Sequence, residues 1–383
     1  LSLSLSRQEI NELILFRQHL HQHPKISGEE AWTRNEIRAW LKSRTSFKMK
    51  TVGKNGLLLK GKSSDSSKKI LVRVDIDALP ITEKNDHILY RSEEVGAAHL
   101  CGHDGHATIG CGLALLMNKE SENTPADIIF QPAEETGQGA QWVLNDPEFN
   151  IDDYSYSISI HNLPGYDKNT VVLRKEFFTA AVDSLIFRFT GSTSHAAEPQ
   201  FGRNPAEAIA RLILESQQIM KDYKERGFSV ITPIFSRIGK KAYGTSPGYG
   251  ETHFTLRAGK NKLLDKISDS LKQSADALAK EYELDLSTDS TESFRAVKNN
   301  EHVVNLTEKA AQEKELKVVY RDELFSWGED FGRFTEKIPG AMFGLGSGKD
   351  HPVLHSENYD FPDELIATGS ELFYSVIKKL ADV

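Results

Sequence analysis

Cysteine is nearly absent: the 383 residues hold only two, Cys101 and Cys111. A disulfide-stapled scaffold is excluded, and one bond between these two is the most the chain can form. A reduced thiol placed among several histidines is more often a ligand or a nucleophile. Cys111 lies in a run of small apolar residues and reads as a buried helix residue. Positive charge is also short. With 47 Lys and Arg against 55 Asp and Glu, the formal net charge is -8, which argues against a nucleic-acid partner, because phosphate binding calls for a basic stripe. No apolar run nears the roughly 18 residues that span a bilayer, so no membrane partner is expected. The opening Leu1-Ser2-Leu3-Ser4-Leu5-Ser6 is too short and interrupted for a signal peptide, and no basic region precedes it. Without an initiating Met a removed targeting segment stays open; the expected compartment is the cytoplasm. Neither an internal repeat nor a long low-complexity segment occurs.

What is present is an ordinary globular composition, 39% hydrophobic and 27% charged. The length is too great for one core, so two domains are expected. Ser6 with Glu9 has the spacing of a capping box, and Ile10, Leu13, Ile14 and Leu20 give a helix to about Gln22, stopped by Pro24. Ser27 with Glu30 predicts a second helix carrying Trp32, Ile37, Trp40 and Leu41. The period then changes. Gly56 to Lys60 and Ile70 to Val74 read as strands, with Ser63 to Lys69 an exposed turn between them. A helix of small residues is expected over about Ala107 to Asn118, and strands over Asp127 to Phe130 and Tyr156 to Ile160. Each candidate ligand in this stretch stands just past the carboxyl end of a strand, where α/β sheets form their sites.

From about Ala180 the pattern shifts. Leu185, Phe187 and Phe189 alternate with Ile186 and Arg188, as in a sheet covered on one face. Asn204, Pro205 and Glu207 start a helix that runs to about Lys221. Strands near Ser229 to Ile238 and Glu251 to Arg257, a helix from Leu263 to Tyr282 and a strand near Glu283 to Ser287 complete a β-α-β-β-α-β unit. Glu301 to Lys314 (helix), Lys317 to Tyr320 and Ala341 to Leu345 (strands) and Asp363 to Leu380 (helix) resume the first pattern. The expected fold is therefore α/β: a larger catalytic domain, 1–179 and 292–383, with a mixed sheet flanked by helices, and an inserted α+β ferredoxin-like domain, 180–291. Residues from both flanks of the insertion must meet to complete the larger domain's site.

The chemistry centres on Cys101-Gly102-His103-Asp104-Gly105-His106, a thiol and three other metal-capable side chains in six residues. Glu134 and Glu135 follow one strand, His161 the next, and His355 lies in the approach to the last helix. Thiolate, imidazole and carboxylate together suit zinc, cobalt, manganese or nickel rather than calcium or magnesium. Cys101, His103, the Glu134-Glu135 pair, His161 and His355 exceed what one tetrahedral ion requires, which points to two divalent cations sharing a bridge. Asp75 and Asp77, at i and i+2 in extended chain, point to the same side and can face one site.

Three strings, Arg73-Val74-Asp75-Ile76-Asp77-Ala78-Leu79-Pro80, His99 to His106 and Phe130-Gln131-Pro132-Ala133-Glu134-Glu135, resemble the aminoacylase/hippurate-hydrolase family. This metallo-amidohydrolase group includes plant auxin-conjugate hydrolases and bacterial N-acetyl-amino-acid deacetylases. His19 to Pro24, Gly191 through His195-Ala196-Ala197, Glu329-Asp330-Phe331 and Leu354-His355-Ser356 extend the likeness in the right order over nearly the whole chain.

The resemblance implies Cys101 as bridging ligand, His103, Glu135, His161 and His355 as the other ligands, and Glu134 as general base. It implies that Asp77 orients a ligating imidazole, and that His195 on the inserted domain reaches the partner's site in a homodimer. Two cations, zinc foremost, would then acidify a bound water, and Glu134 would take its proton and return it to the leaving amine. His195 would donate to the developing oxyanion. One departure stands out. The family commonly carries an Asn thirteen residues before a strand-borne Arg, and both help to hold the substrate's carboxylate. Arg257 is in place, but Gly244 stands where Asn is usual, and glycine has no side-chain donor. The expected activity is cleavage of N-acyl amino acids. The alternatives are a dipeptidase or carboxypeptidase with the same centre, a metal-binding dimer without turnover, and a hydrolase with Cys101 as nucleophile. The last leaves Glu134, Glu135 and His355 without a role.

Overall fold

The computed structural model describes residues 3–62, 69–120 and 124–381; the expected turn from Ser63 lies outside them, apart from Lys69. The chain forms two compact units, one of Leu1–Phe178, Val297–Leu324 and Glu329–Val383, the other of Thr179–Ala296 and Phe325–Gly328.

The first unit opens with α1 (Arg7–Gln22), capped as the spacing predicts: Ser6 Oγ accepts from the Glu9 amide, and the Glu9 carboxylate takes the Ser6 amide. The second capping box does not form. Helix α2 (Ala31–Lys42) has no side-chain cap, because Ser27 gives its hydroxyl to Asp77 at 2.7 Å, and Glu30 accepts the amides of Gly28 and Ala133 instead. Both residues serve the site rather than the helix.

Strand β1 (Lys48–Val52) was not foreseen; it is largely polar and, among the described residues, pairs only with β2 (Gly56–Lys60), at the sheet's edge. Then come β3 (Lys69–Asp75), α3 (His103–Lys119), β4 (Ala126–Gln131), β5 (Tyr154–Pro164) and β6 (Val171–Leu173). Helix α3 starts at His103, four residues before the expected Ala107. It lies close on the sheet: a methyl group at Gly110 would stand 2.9 Å from both Val74 and Phe130. Strand β5 continues past His161, because Gly340 to Gly348 pairs with it as far as Pro164.

The second unit holds β7 (Ala181–Thr190), α4 (Ala206–Tyr223), β8 (Ser229–Ile238), β9 (Tyr249–Ala258), α5 (Asn261–Glu281) and β10 (Asp285–Phe294). Its sheet is antiparallel throughout, in the order β8-β9-β7-β10, which is ferredoxin-like. Leu185, Phe187 and Phe189 are fully buried on one face. Ile186 and Arg188 alternate with them on the other face, where Arg188 pairs with Asp289 and Glu251.

The chain returns through α6 (Glu301–Glu313), β11 (Val318–Tyr320), β12 (Gly340–Gly348) and α7 (Leu365–Ala381). The first unit's sheet has eight strands, β1-β2-β4-β3-β5-β12-β6-β11. It is mixed: β4, β3, β5 and β12 run parallel and the flanking pairs add antiparallel partners. Val72, Val74, Ile128, Phe130 and Ile158 are buried in its core, each contributing about 1.5–3 kcal/mol. Among the described residues, no helix is long and apolar enough to cross a membrane.

Candidate metal centre

The parallel strands end on one side of the sheet, and there the first unit gathers seven of the predicted site residues. Asp77 follows β3, Glu134 and Glu135 follow β4, and His161 lies near the end of β5. Cys101 and His103 flank the turn that begins α3. Gly102 makes that turn at φ 90°, a conformation that costs glycine little. His355 joins through its amide, which donates to Leu100 O at 2.8 Å. It does so at φ 64°, in the left-handed region that non-glycine residues seldom occupy. Ala133, just before Glu134, has φ 50° and is anchored by Glu30, which takes its amide at 2.8 Å. Two strained positions beside candidate catalytic groups are the usual place for such conformations.

Two triads share the sulfur. Cys101, His103 and His161 form one and Cys101, Glu135 and His355 the other, each with donor atoms within 4.8 Å of one another. Cys101 Sγ is 3.7 Å from His161 Nε2, and Glu135 Oε2 is 3.5 Å from His355 Nε2. The ring of His103 is aimed by Asp77, whose carbonyl and carboxylate oxygens lie 3.0 and 3.3 Å from Nδ1. That contact holds a proton on Nδ1 and turns Nε2 toward the site. Asp77 is itself held by Ser27 and by the Glu135 amide at 3.0 Å.

Buried carboxylates crowd the centre. Asp75, Asp77, Glu134, Glu329 and Asp330 are all buried, with Glu135 beside them. Arg73 is the cation among them, reaching Asp75 at 2.7 Å, Glu329 at 2.8 Å and Asp330 at 2.7 Å. Burial, then Glu329, Glu135 and Asp330, drives the Glu134 carboxyl well above its ordinary range, while Arg73 pulls against them. Burial lifts Glu135 to about 7, with His103 opposing and Asp77 reinforcing. Burial lowers His103, but Asp75, Asp77 and Glu135 outweigh it and push the imidazole to about 10. Such a surplus of buried negative charge calls for cations. His103 Nε2 and Glu135 Oε1 are buried without a hydrogen-bond partner, open donor atoms of the kind a divalent ion fills. The donor set fits two divalent cations, which Cys101, His103, Glu135, His161 and His355 would hold.

Glu134 comes within reach of His103 and Glu135, and of Glu329 and Asp330. Its Oε1 accepts the Asp330 amide at 3.4 Å. His106, the last residue of the Cys101 to His106 string, points elsewhere: Nδ1 meets Asp75 Oδ1 at 2.6 Å, and Nε2 accepts the Asn162 amide at 3.2 Å. With both nitrogens engaged it is no ligand. His195 and Arg257 are carried by the second unit. His195 is exposed, in a short ladder opposite Thr245, and Ala196 N donates to Gly244 O at 3.0 Å. Arg257 donates to Ser326 O at 2.7 Å.

Sequence reasoning gave Arg73, Ser27 and Glu30 no part in the site. The signal for Arg73 was an arginine within an otherwise apolar strand, which only a buried counter-charge explains. Ser27 and Glu30 had a helix-start signature that masked their use by the site.

A profile of peptidase family M20/M25/M40 matches residues 71–379. The N-acetyl-L-cysteine deacetylase of Bacillus subtilis (strain 168) is 29% identical over 373 residues, covering 97% of this chain and 88% of its own. The Bacillus subtilis YXEP protein, a dinuclear metal binding peptidase from the M20 family, superposes with a TM-score of 0.82 at 24% identity, over 99% of this chain and all of that one. The aminobenzoyl-glutamate utilization protein from Klebsiella pneumoniae gives 0.75 at 18% identity, over 97% and 96%. These two likenesses are of fold.

Proposed function

Because the chain belongs to peptidase family M20/M25/M40, and is thereby a metal-dependent hydrolase of amide or peptide bonds, we propose that it cleaves N-acyl amino acids to a carboxylate and a free amino acid. The observation that carries this reading is the pair of triads sharing Cys101, with Glu134 beside them. The N-acetyl-L-cysteine deacetylase among the relatives supports the substrate class. Cys101, His103 and His161 would hold one cation and Cys101, Glu135 and His355 the other. Zinc is the ion proposed; manganese, cobalt and nickel suit the same donors. When bound, two such cations supply Lewis acidity to a water and to the amide carbonyl.

The chain's own groups do the rest. Glu134, raised by burial and by Glu329, takes a proton from water and delivers it to the leaving nitrogen. Asp77 holds the His103 ring, and the Asp330 amide steadies Glu134. His195 is assigned the donor to the developing oxyanion of a partner subunit's site, and Arg257 a contact to the substrate carboxylate. With Gly244 in place of the usual Asn, that carboxylate has one side-chain donor fewer. A reduced Cys101 is what such a centre needs, and a cytoplasmic setting provides it.

A panel of N-acetyl amino acids and dipeptides, assayed with added zinc, cobalt and manganese, tests the substrate. Release from the acylated set supports the proposal, and release from dipeptides alone replaces it with a peptidase. Glu134→Gln should lower turnover by roughly 10²–10⁴-fold with the metal content unchanged; wild-type turnover would remove Glu134 as the base. His195→Ala should cost on the order of 10²-fold, and mixing it with Glu134→Gln should restore activity if His195 works across a homodimer.

A further inference from the structure

Asn162 touches the proposed cation site on three sides, and the mechanism above gives it no task. Its amide donates to His106 Nε2 at 3.2 Å, and the far nitrogen of that ring is held by Asp75 at 2.6 Å. Its carbonyl faces His161 Nδ1 at 2.9 Å, which puts the His161 proton on Nδ1 and turns Nε2 to the Cys101 sulfur. Its carboxamide lies flat on Gly102, so closely that a methyl group there would stand 2.6 Å from Oδ1 and 2.9 Å from Nδ2. The carboxamide is tied at its other end, where Nδ2 donates to the hydroxyl of the fully buried Tyr359. Asn162 Oδ1 is buried and finds no hydrogen-bond partner. An interior amide left half satisfied adds little to folding; here it sits against the one residue that separates Cys101 from His103.

We propose that Asn162 is a positioning residue for the Cys101–His103–His161 triad. Its carboxamide, braced by Tyr359, seats the Gly102 turn and so sets where the Cys101 sulfur and the His103 ring stand, while its main-chain carbonyl aims His161. The inference rests on the reading of that triad as a cation site. Neither Asn162 nor Tyr359 meets the substrate in this scheme; both act through the ligands. Loss of the amide should therefore loosen the metal and leave the fold in place.

The test uses the full-length protein stripped of metal and titrated with cobalt(II). Thiolate-to-cobalt charge-transfer absorption reports Cys101 ligation, and bound cobalt after dialysis reports stoichiometry. Asn162→Ala should bind cobalt roughly 10–100-fold more weakly, with a shifted or weakened charge-transfer band, fewer ions retained and a cooperative thermal transition. Tyr359→Phe should move the same readouts in the same direction and by less, and it decides the matter if Asn162→Ala fails to fold. Wild-type cobalt affinity and an unchanged band in the folded variant would overturn the proposal, as would a lowered melting temperature with no spectral change. A wild-type protein that binds cobalt without any thiolate band would instead remove Cys101 as a ligand, and the inference would fall with it.

Discussion

At the scale of single residues, the centre is built by side chains whose two ends are both committed. Asp77 spends one oxygen on His103 and the other on Ser27 and the Glu135 amide, so it orients one ligand by its side chain and a second by that ligand's backbone. Asp77→Asn keeps the shape and loses the charge. It should weaken metal binding about 10–100-fold, seen as activity that returns only with excess metal; unchanged affinity would mean that the carboxylate does not orient His103. Arg73 is the cation facing Asp75, Glu329 and Asp330 in the interior. Arg73→Met leaves those charges without their partner and should cost about 3–5 kcal/mol of stability, measured by denaturant unfolding. A loss below 1 kcal/mol would show the acids to be neutralised by other means. The two glutamates next to each other also differ at this scale. Glu135 has its backbone tied to Asp77 and its carboxylate aimed at His355, whereas Glu134 turns toward the 329–330 turn. Their different roles follow in the sequence from the family resemblance alone, and the structure gives them different surroundings.

At the scale of elements, α1 is pinned to the start of α3 by charge as well as by its apolar stripe. Leu13 and Leu20 are fully buried, and so are Arg17 and His21. Arg17 reaches Asp104 at 3.1 Å and Asp363 at 2.7 Å, and His21 lies between Asp104 at 2.9 Å and Glu83 at 3.1 Å. Burial lowers the His21 imidazole, but hydrogen bonds to Asp104 and Glu83 outweigh it, as Arg17 opposes, and raise it to about 9. Tyr90 and His99 complete its surroundings. A folded-state value raised above the ordinary 6.5 stabilises the protein fully below that pH and ceases to do so as pH rises through 9. The contribution is on the order of 3 kcal/mol. Wild type and His21→Gln should therefore differ most in melting temperature near pH 6 and converge by about pH 9.5; a gap that is flat across that range would refute a charged His21. In the sequence these charges read as interruptions of an amphipathic helix. Their purpose depends on Asp104, Glu83 and Asp363, which lie far away along the chain.

At the scale of the whole molecule, the second unit presents an edge strand that a soluble monomer would ordinarily protect. Among the described residues strand β8 pairs only with β9, and Ile234, Phe235 and Ile238 are 61%, 45% and 39% exposed on it. Pro233 within the strand is tolerated at an edge. This exposed, largely uncharged edge is the surface on which the proposed homodimer would form. Ile234→Lys should lower the molar mass in light scattering from dimer to monomer and should abolish complementation between the His195 and Glu134 variants. A dimer that persists would place the contact on another surface.

The candidate donors and their order along the chain are legible in the sequence, Cys101 and His103 by local clustering and the remote His355 only by resemblance to a family. So are the mixed sheet with flanking helices and the ferredoxin-like order of the second unit, because periods of two and 3.6 declare strands and helices without reference to neighbours. Tertiary structure decided everything that depends on partners distant in sequence. It diverted Ser27 and Glu30 from capping a helix to holding Asp77 and Ala133, engaged both nitrogens of His106, and set Arg73 against Asp75, Glu329 and Asp330. It also arranged one thiol as the common corner of two triads. A side chain's composition says what it can bind, and only the packing of remote segments settles what it meets.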